Sequence, residues 1–191
     1  MKEKTHLGNR LLSVLLTFLM LLSLLPSAAL AADTQQIALM AVTQNGFLIK
    51  PEYVTYHSGD TVKDVLKKSG HTFSGIDNGY ITAVDDTTDN FSIHYDEDGY
   101  KLDQSADGLT AIWFTTNSDQ SHGANLQKLA ANMAVYNTAT NGLKDYKAAQ
   151  EAYDAAVKGF YAATDTKAKT LNDALFSAID KHAKFLEGKT T

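Results

Sequence analysis

The chain has 191 residues, a net charge of −5 and no cysteine. Without cysteine there are no disulfides and no thiol nucleophile, so a compact fold depends on its hydrophobic core. Arg10 is the only arginine in this acidic chain, which argues against nucleic acid or an anionic lipid surface as a partner.

The first 31 residues are typical of a secretory signal peptide. Lys2, Lys4 and Arg10 precede an uncharged stretch at 11–25, and a small-x-small cleavage pattern ends at Ala31. Because spanning a bilayer takes about 20 apolar residues, we favour cleavage over retention as a membrane anchor. The removed segment carries three positive charges and one negative, so the mature chain has 160 residues and a net charge of −7. This pattern predicts a secreted or cell-surface protein, and export without cysteine is most typical of Gram-positive bacteria.

The first strands are predicted to form a β-hairpin. Ile37–Val42 is a short apolar run, and Asn45-Gly46 after it favours a tight two-residue turn. Pro51 lies within the next segment, Phe47–His57. Because proline has no amide hydrogen to donate, we expect this strand at a sheet edge or with a bulge.

One short helix is predicted in the stretch HSGDTVKDVLKKSG, residues 57–70. Thr61 and Asp64 have the spacing of a capping box, and three apolar residues that follow share one face. Lysines occupy the last turn, where cations suit the helix dipole, and Gly70 suits the position after the helix end. We expect this helix to pack one narrow face on a sheet.

Further strands are predicted at Tyr80–Val84, at Phe91–Tyr95 and within 109–116, the most β-prone run in the chain. Asp96–Gly99 is expected to form a turn, with a short return strand after it. The order of hairpin, helix and later strands predicts a mixed sheet with one helix on one face. That is an α+β architecture of the β-grasp kind.

The second half of the chain has helical periodicity. Three amphipathic helices are expected between about Ala124 and Glu187, interrupted at Asn141-Gly142 and capped before the third by Thr164 or Asp165. Their short connections predict an antiparallel helical bundle or a long helical hairpin with a leading helix. The predicted organisation is a signal peptide at 1–31, a β-grasp-like domain at 32–117, a linker at 118–123 and a helical domain at 124–191.

The turn-plus-helix at 57–70 resembles that of bacterial surface domains related to the transcobalamin C-terminal domain. Phe91–Gly99 is similar to the family's strand and turn, and Gly108 and Trp113 occupy the places of its glycine and tryptophan. The likeness covers about residues 36–117, although the turn is longer and Leu109 replaces an aspartate. The resemblance implies a β-grasp fold. It also implies cobalamin as a candidate ligand, although the large helical partner domain of the eukaryotic members does not fit in this chain.

Motifs for catalysis are absent from the sequence. There is no nucleophile elbow, HExxH, phosphate-binding loop or dinucleotide fingerprint. His57 and His71 flank the predicted helix and could approach each other, but two solvated loop histidines are the simpler interpretation. An EF-hand pattern fails around Gly99, which leaves solvated turns as a better interpretation of Asp96 and Asp98 than a loose calcium site.

Aromatic side chains are the remaining candidates for ligand contact. Tyr95, Tyr100 and Trp113 lie on or beside the late strands, where aromatics usually belong to a core. If exposed, they would provide a contact surface for a glycan, a peptide or a cofactor ring. We therefore predict a secreted, non-enzymatic binding module whose partner is a protein, glycan or small molecule. The alternative is a corrinoid-binding or other small-ligand carrier, and a structural piece of an assembly is a third option.

Overall fold

The computed structural model describes residues 34–94, 101–120 and 123–189, and the predicted signal peptide lies outside these ranges. The fold is mixed α+β. Its strands are β1 (Thr34–Thr43), β2 (Gly46–His57), β3 (Phe73–Ser74), β4 (Ala83–Val84), β5 (Thr87–Thr88), β6 (Ser92–His94) and β7 (Ala111–Thr115). Its helices are α1 (Val62–Lys68), α2 (Ala124–Thr138), α3 (Lys147–Phe160) and α4 (Asp165–Glu187).

The main sheet has four strands in the order β2-β1-β7-β6. β1 pairs antiparallel with β2 and parallel with β7, and β6 pairs antiparallel with β7. The predicted hairpin and its edge strand are confirmed, although the two turn residues are Gln44 and Asn45, because Gly46 already pairs with Thr43. The register shifts twice along β1 as a bulged pair would. The carbonyl of Pro51 accepts a hydrogen bond from Asn137 Nδ2 at 2.8 Å, which ties this edge to α2.

Both central strands are buried on both faces. In β1, three residues pack with α1 and the alternating three pack with α2 to α4. β7 divides in the same way, because Ile112 and Phe114 face α1 while Ala111 and Trp113 face the longer helices. The expectation of a helix on only one face was therefore incomplete, since the helical half covers the other.

Helix α1 forms as predicted. The Thr61 hydroxyl accepts from the backbone N–H of Asp64 at 3.2 Å, and the Asp64 carboxylate accepts from the Thr61 N–H at 2.9 Å. Val62, Val65 and Leu66 are fully buried against the sheet. Burying a side chain of this kind contributes about 1.5–3 kcal/mol, so the narrow apolar face anchors the helix.

A second, smaller sheet follows α1 in the order β3-β4-β5. The predicted strand at Tyr80–Val84 is wrong for its first three residues, because only Ala83 and Val84 are paired and Tyr80 is 48% exposed. A 3₁₀ turn at Ile76–Asn78 precedes them, flanked by glycines with φ of +84° on both sides. The predicted return strand after Gly99 is also absent from the residues described from 101 onwards.

The three predicted helices of the second half are confirmed, with Thr164 capping α4 through the backbone N–H of Lys167. Contacts between α2 and α4 recur at a nearly constant offset of forty residues, so these two helices run parallel. Two polar pairs join the helices at this offset, Asn125–Asp165 and Asn132–Asn172, and the Asn141 carbonyl after α2 contacts His182 Nε2 at 3.1 Å.

The predicted linker at 118–123 does not separate the two halves in packing. Gln120 within it is 4% exposed, accepts from Trp113 Nε1 at 3.1 Å and donates to the Phe160 carbonyl at 2.6 Å. One hydrophobic cluster includes residues of β1, β7 and all three long helices. The sheet and the helical half therefore share a core.

Candidate functional site

An open cavity of about 580 Å³ lies on the α1 side of the sheet. Volumes of this order are typical of small-ligand sites. Leu102 is buried in its wall, whereas Lys101 and Asp103 are exposed. The residues lining it are Gly79, Lys101, Leu102, Asp103 and Gln104.

Backbone contacts with α1 hold the long wall of this cavity in place. The N–H of Val62 donates to the Gln104 carbonyl and the N–H of Lys63 donates to the Leu102 carbonyl, both at 2.9 Å. Together with the capping box, these bonds use the backbone N–H groups of residues 61–64 at the start of α1. The helix end therefore offers no free donors for an anion.

Ion pairs hold the turn that precedes Gly79. Asp77, in the 3₁₀ turn that ends at Gly79, contacts Lys67 Nζ at 2.7 Å and Lys63 Nζ at 3.0 Å. Hydrogen bonds from Lys67 and then from Lys63 lower the pKa of the Asp77 carboxyl. Because Asp77 is 71% exposed, the pairs position the turn more than they stabilise the fold.

The two halves of the chain differ in charge, as the sequence shows. Residues 34–122 carry thirteen acidic and five basic side chains, whereas residues 123–191 carry seven and nine. Near α1, hydrogen bonds from Lys68 and from the His57 backbone lower the pKa of Asp60. Such a surface disfavours anionic ligands.

The cavity is equipped for binding by hydrogen bonds. Its described lining includes a lysine, an aspartate and a glutamine beside the buried Leu102. Among the described residues, no group of three histidine, cysteine or acidic side chains could hold a metal ion. Among the described residues that line it there is neither a histidine nor a hydroxyl side chain.

Of the three predicted contact aromatics, only Trp113 lies within the described residues, and it does not line this cavity. Trp113 is fully buried, with its ring edge-on to Phe160 at 6.0 Å between centroids. Trp113 is therefore a core residue, which is the role that its position on a strand favoured over ligand contact. Tyr95 and Tyr100 lie outside the described residues, as do Asp96 and Asp98 of the calcium hypothesis.

The two histidines beside α1 have different surroundings. The side chain of His57 is 63% exposed, with its Nδ1 4.0 Å from Asp60. That of His71 is only 25% exposed and lies between Glu52 and Asp85. The sequence singled out His71, but nothing in it indicated partners that lie nineteen and fourteen positions away.

The walls of the cavity were also missed, because Gly79 and the segment 101–104 are brought together by α1. The one local signal for them was the turn chemistry around Gly79. In the ranges that the structure describes, no helix combines the length and apolar character needed to cross a membrane.

Comparisons with known proteins add no family to this description. No protein family matches the chain, and no curated protein matches it either.

Proposed function

We propose that the chain is a secreted, non-enzymatic binding module of a bacterial extracellular or cell-surface protein. Its ligand site is the cavity formed by Gly79 and residues 101–104. The observation that carries the proposal is this open cavity, whose segment 101–104 is held by backbone bonds to α1 and whose described lining includes a lysine, an aspartate and a glutamine. The signal-peptide pattern at 1–31 supports export.

We further propose that the sheet and α1 form a β-grasp domain related to the transcobalamin C-terminal domain. The strand order β2-β1-β7-β6, with a parallel central pair and a helix after the first hairpin, supports this assignment. The capping box of α1 supports the turn-plus-helix resemblance. Fold alone does not identify a ligand.

The test uses residues 32–191 with three classes of probe: neutral oligosaccharides, short peptides and corrinoids. Calorimetry is the appropriate readout, because Trp113 is buried in the core between the sheet and the long helices, so its emission is a poor reporter. We expect one class to bind, and the double variant Lys101→Ala/Asp103→Ala to weaken it at least about tenfold, the equivalent of 1.4 kcal/mol.

The matched control is Lys147→Ala/Glu151→Ala, which removes an exposed pair of the same charges from α3 and should leave affinity unchanged. Binding of no probe class, or equal effects of both double variants, would count against the cavity. If the protein turned over a probe and a single substitution abolished that turnover, the chain would be an enzyme and the binding-module proposal would be wrong. Corrinoid binding alone would favour the small-ligand carrier.

A further inference from the structure

His71 joins three segments that are distant in sequence. It lies between α1 and β3, and its Nδ1 is 2.6 Å from Asp85 Oδ2 in the turn after β4. Its Nε2 is 3.1 Å from Glu52 Oε1 on the edge strand β2. The imidazole therefore bridges the small sheet and the main sheet.

The chemistry of the three groups sets the protonation state that this bridge requires. An ionised carboxylate only accepts hydrogen bonds, and a neutral imidazole has one donor and one acceptor nitrogen. Both contacts are hydrogen bonds only when both ring nitrogens carry a proton. In the neutral ring, one nitrogen lone pair would face a carboxylate oxygen.

Asp85 is held in place by more than the histidine. Its Oδ1 accepts from the Thr72 N–H at 2.9 Å, and its own N–H donates to the Thr72 carbonyl at 2.9 Å. Its φ of +44° lies in the left-handed region, which is uncommon for non-glycine residues but is adopted more readily by aspartate than by most. Asp85 is therefore a fixed acceptor, and the contact with Glu52 is the one that is free to open.

We propose that His71 is a proton-controlled clasp, which fastens the β3-β4-β5 sheet to β2 when the ring is charged and releases that edge when the ring is neutral. Glu52 and Asp85 are the charged groups that contact the ring among the described residues. The side chains are 25% to 35% exposed, so solvent protons reach them. The connection from β3 to β4 carries Gly79, which lines the cavity, so a link between the clasp and ligand binding rests on the proposed function.

The test follows amide hydrogen exchange in residues 72–88 together with the imidazole ¹⁵N signals of the full mature chain. The range is about pH 5 to 8, in which histidines change charge. Protection factors, corrected for intrinsic exchange, should fall about two- to fivefold as the His71 ring loses its second proton. His71→Gln, whose amide does not titrate, should abolish this step.

His57→Gln is the matched control, since it removes a histidine from the other end of α1 and should preserve the step. Glu52→Gln keeps the ring and Asp85 and should reduce the step, which covers the case in which His71→Gln fails to fold. An unchanged step in His71→Gln, a step lost in His57→Gln, or no step in the wild-type protein would overturn the clasp.

Discussion

The two faces of the main sheet are covered in different ways. On one face, the two turns of α1 and a set of loops enclose a cluster in which aromatic rings meet, as Phe73 and Phe114 do at 5.1 Å. On the other face, three long helices form a larger cluster and contact one another through polar pairs. The open cavity and the histidine bridge are both on the α1 side.

The long helices on one face support the sheet, whereas the α1 side carries the cavity and the titratable bridge. Loops positioned by a short helix tolerate cavities and titratable contacts, whereas close helix packing fills space and fixes register. Polar pairs such as Asn132–Asn172 at a helix interface specify alignment, because any other alignment leaves a buried amide without a partner. The predictions below test this division.

Removal of the helical layer should have the largest effect. A chain that stops at residue 117 would expose the whole second face of β1 and β7, including Met40 and Trp113, to water. We expect it to lose cooperative folding or to aggregate, as judged by circular dichroism and sedimentation. A chain that stops at Glu187 is the control and should fold normally, and a folded, monomeric 32–117 fragment would show that the two layers are independent.

Trp113→Ala should be the most damaging single change among those considered. It empties a fully buried site between sheet and helices and removes the hydrogen bond to Gln120. The free energy of unfolding should fall by about 3–5 kcal/mol in urea titrations. Tyr80→Ala, at a side chain that is 48% exposed, should change it by less than about 0.5 kcal/mol. Similar losses in the two variants would contradict the packing described here.

Local signals in the sequence were sufficient to predict several individual helices and strands. The Thr61–Asp64 spacing predicted the start of α1, Asn45-Gly46 predicted the hairpin, and Thr164 predicted the start of α4. Each depends on residues within a few positions of one another. Such signals survive in the folded protein because tertiary contacts do not compete with them.

Tertiary contacts determine the features of the fold and of the candidate site that the sequence did not predict. The helical layer on the second face was not predicted, although six consecutive apolar residues in Ile37–Val42 are typical of a strand buried on both faces. The same signal in β7 indicates why Trp113 belongs to the core. The cavity and the histidine bridge join residues that are many positions apart, so no periodicity or spacing reveals them.

The alignment of α2 with α4 should depend on Asp165. Its carboxylate accepts from the Asn125 backbone N–H at 3.0 Å and from Asn125 Nδ2 at 2.6 Å, so it caps a helix whose own N-cap is a glycine. Asp165→Ala should cost about 1–2 kcal/mol of unfolding free energy. Asp173→Ala on the same helix removes only an exposed pair with Lys169 and should cost less than about 0.5 kcal/mol. Equal costs would argue against the polar pairs as determinants of alignment.

The smallest effect should be a pH dependence at the start of α1. Hydrogen bonds from the Thr61 hydroxyl and then from its backbone N–H lower the pKa of Asp64. A lowered folded-state pKa means that Asp64 contributes stability above its unfolded-state pKa, and that this contribution is lost as pH falls through the folded value. Asp64→Asn should therefore lower the free energy of unfolding by about 0.5–1.5 kcal/mol at neutral pH and approach the wild-type protein in acid, as measured by urea unfolding at several pH values.

Ser69→Ala removes a non-ionisable contact at the other end of α1, so its curve of stability against pH should run parallel to that of the wild-type protein. A parallel curve for Asp64→Asn as well would mean that the capping box acts through hydrogen bonding alone, without the charge of Asp64.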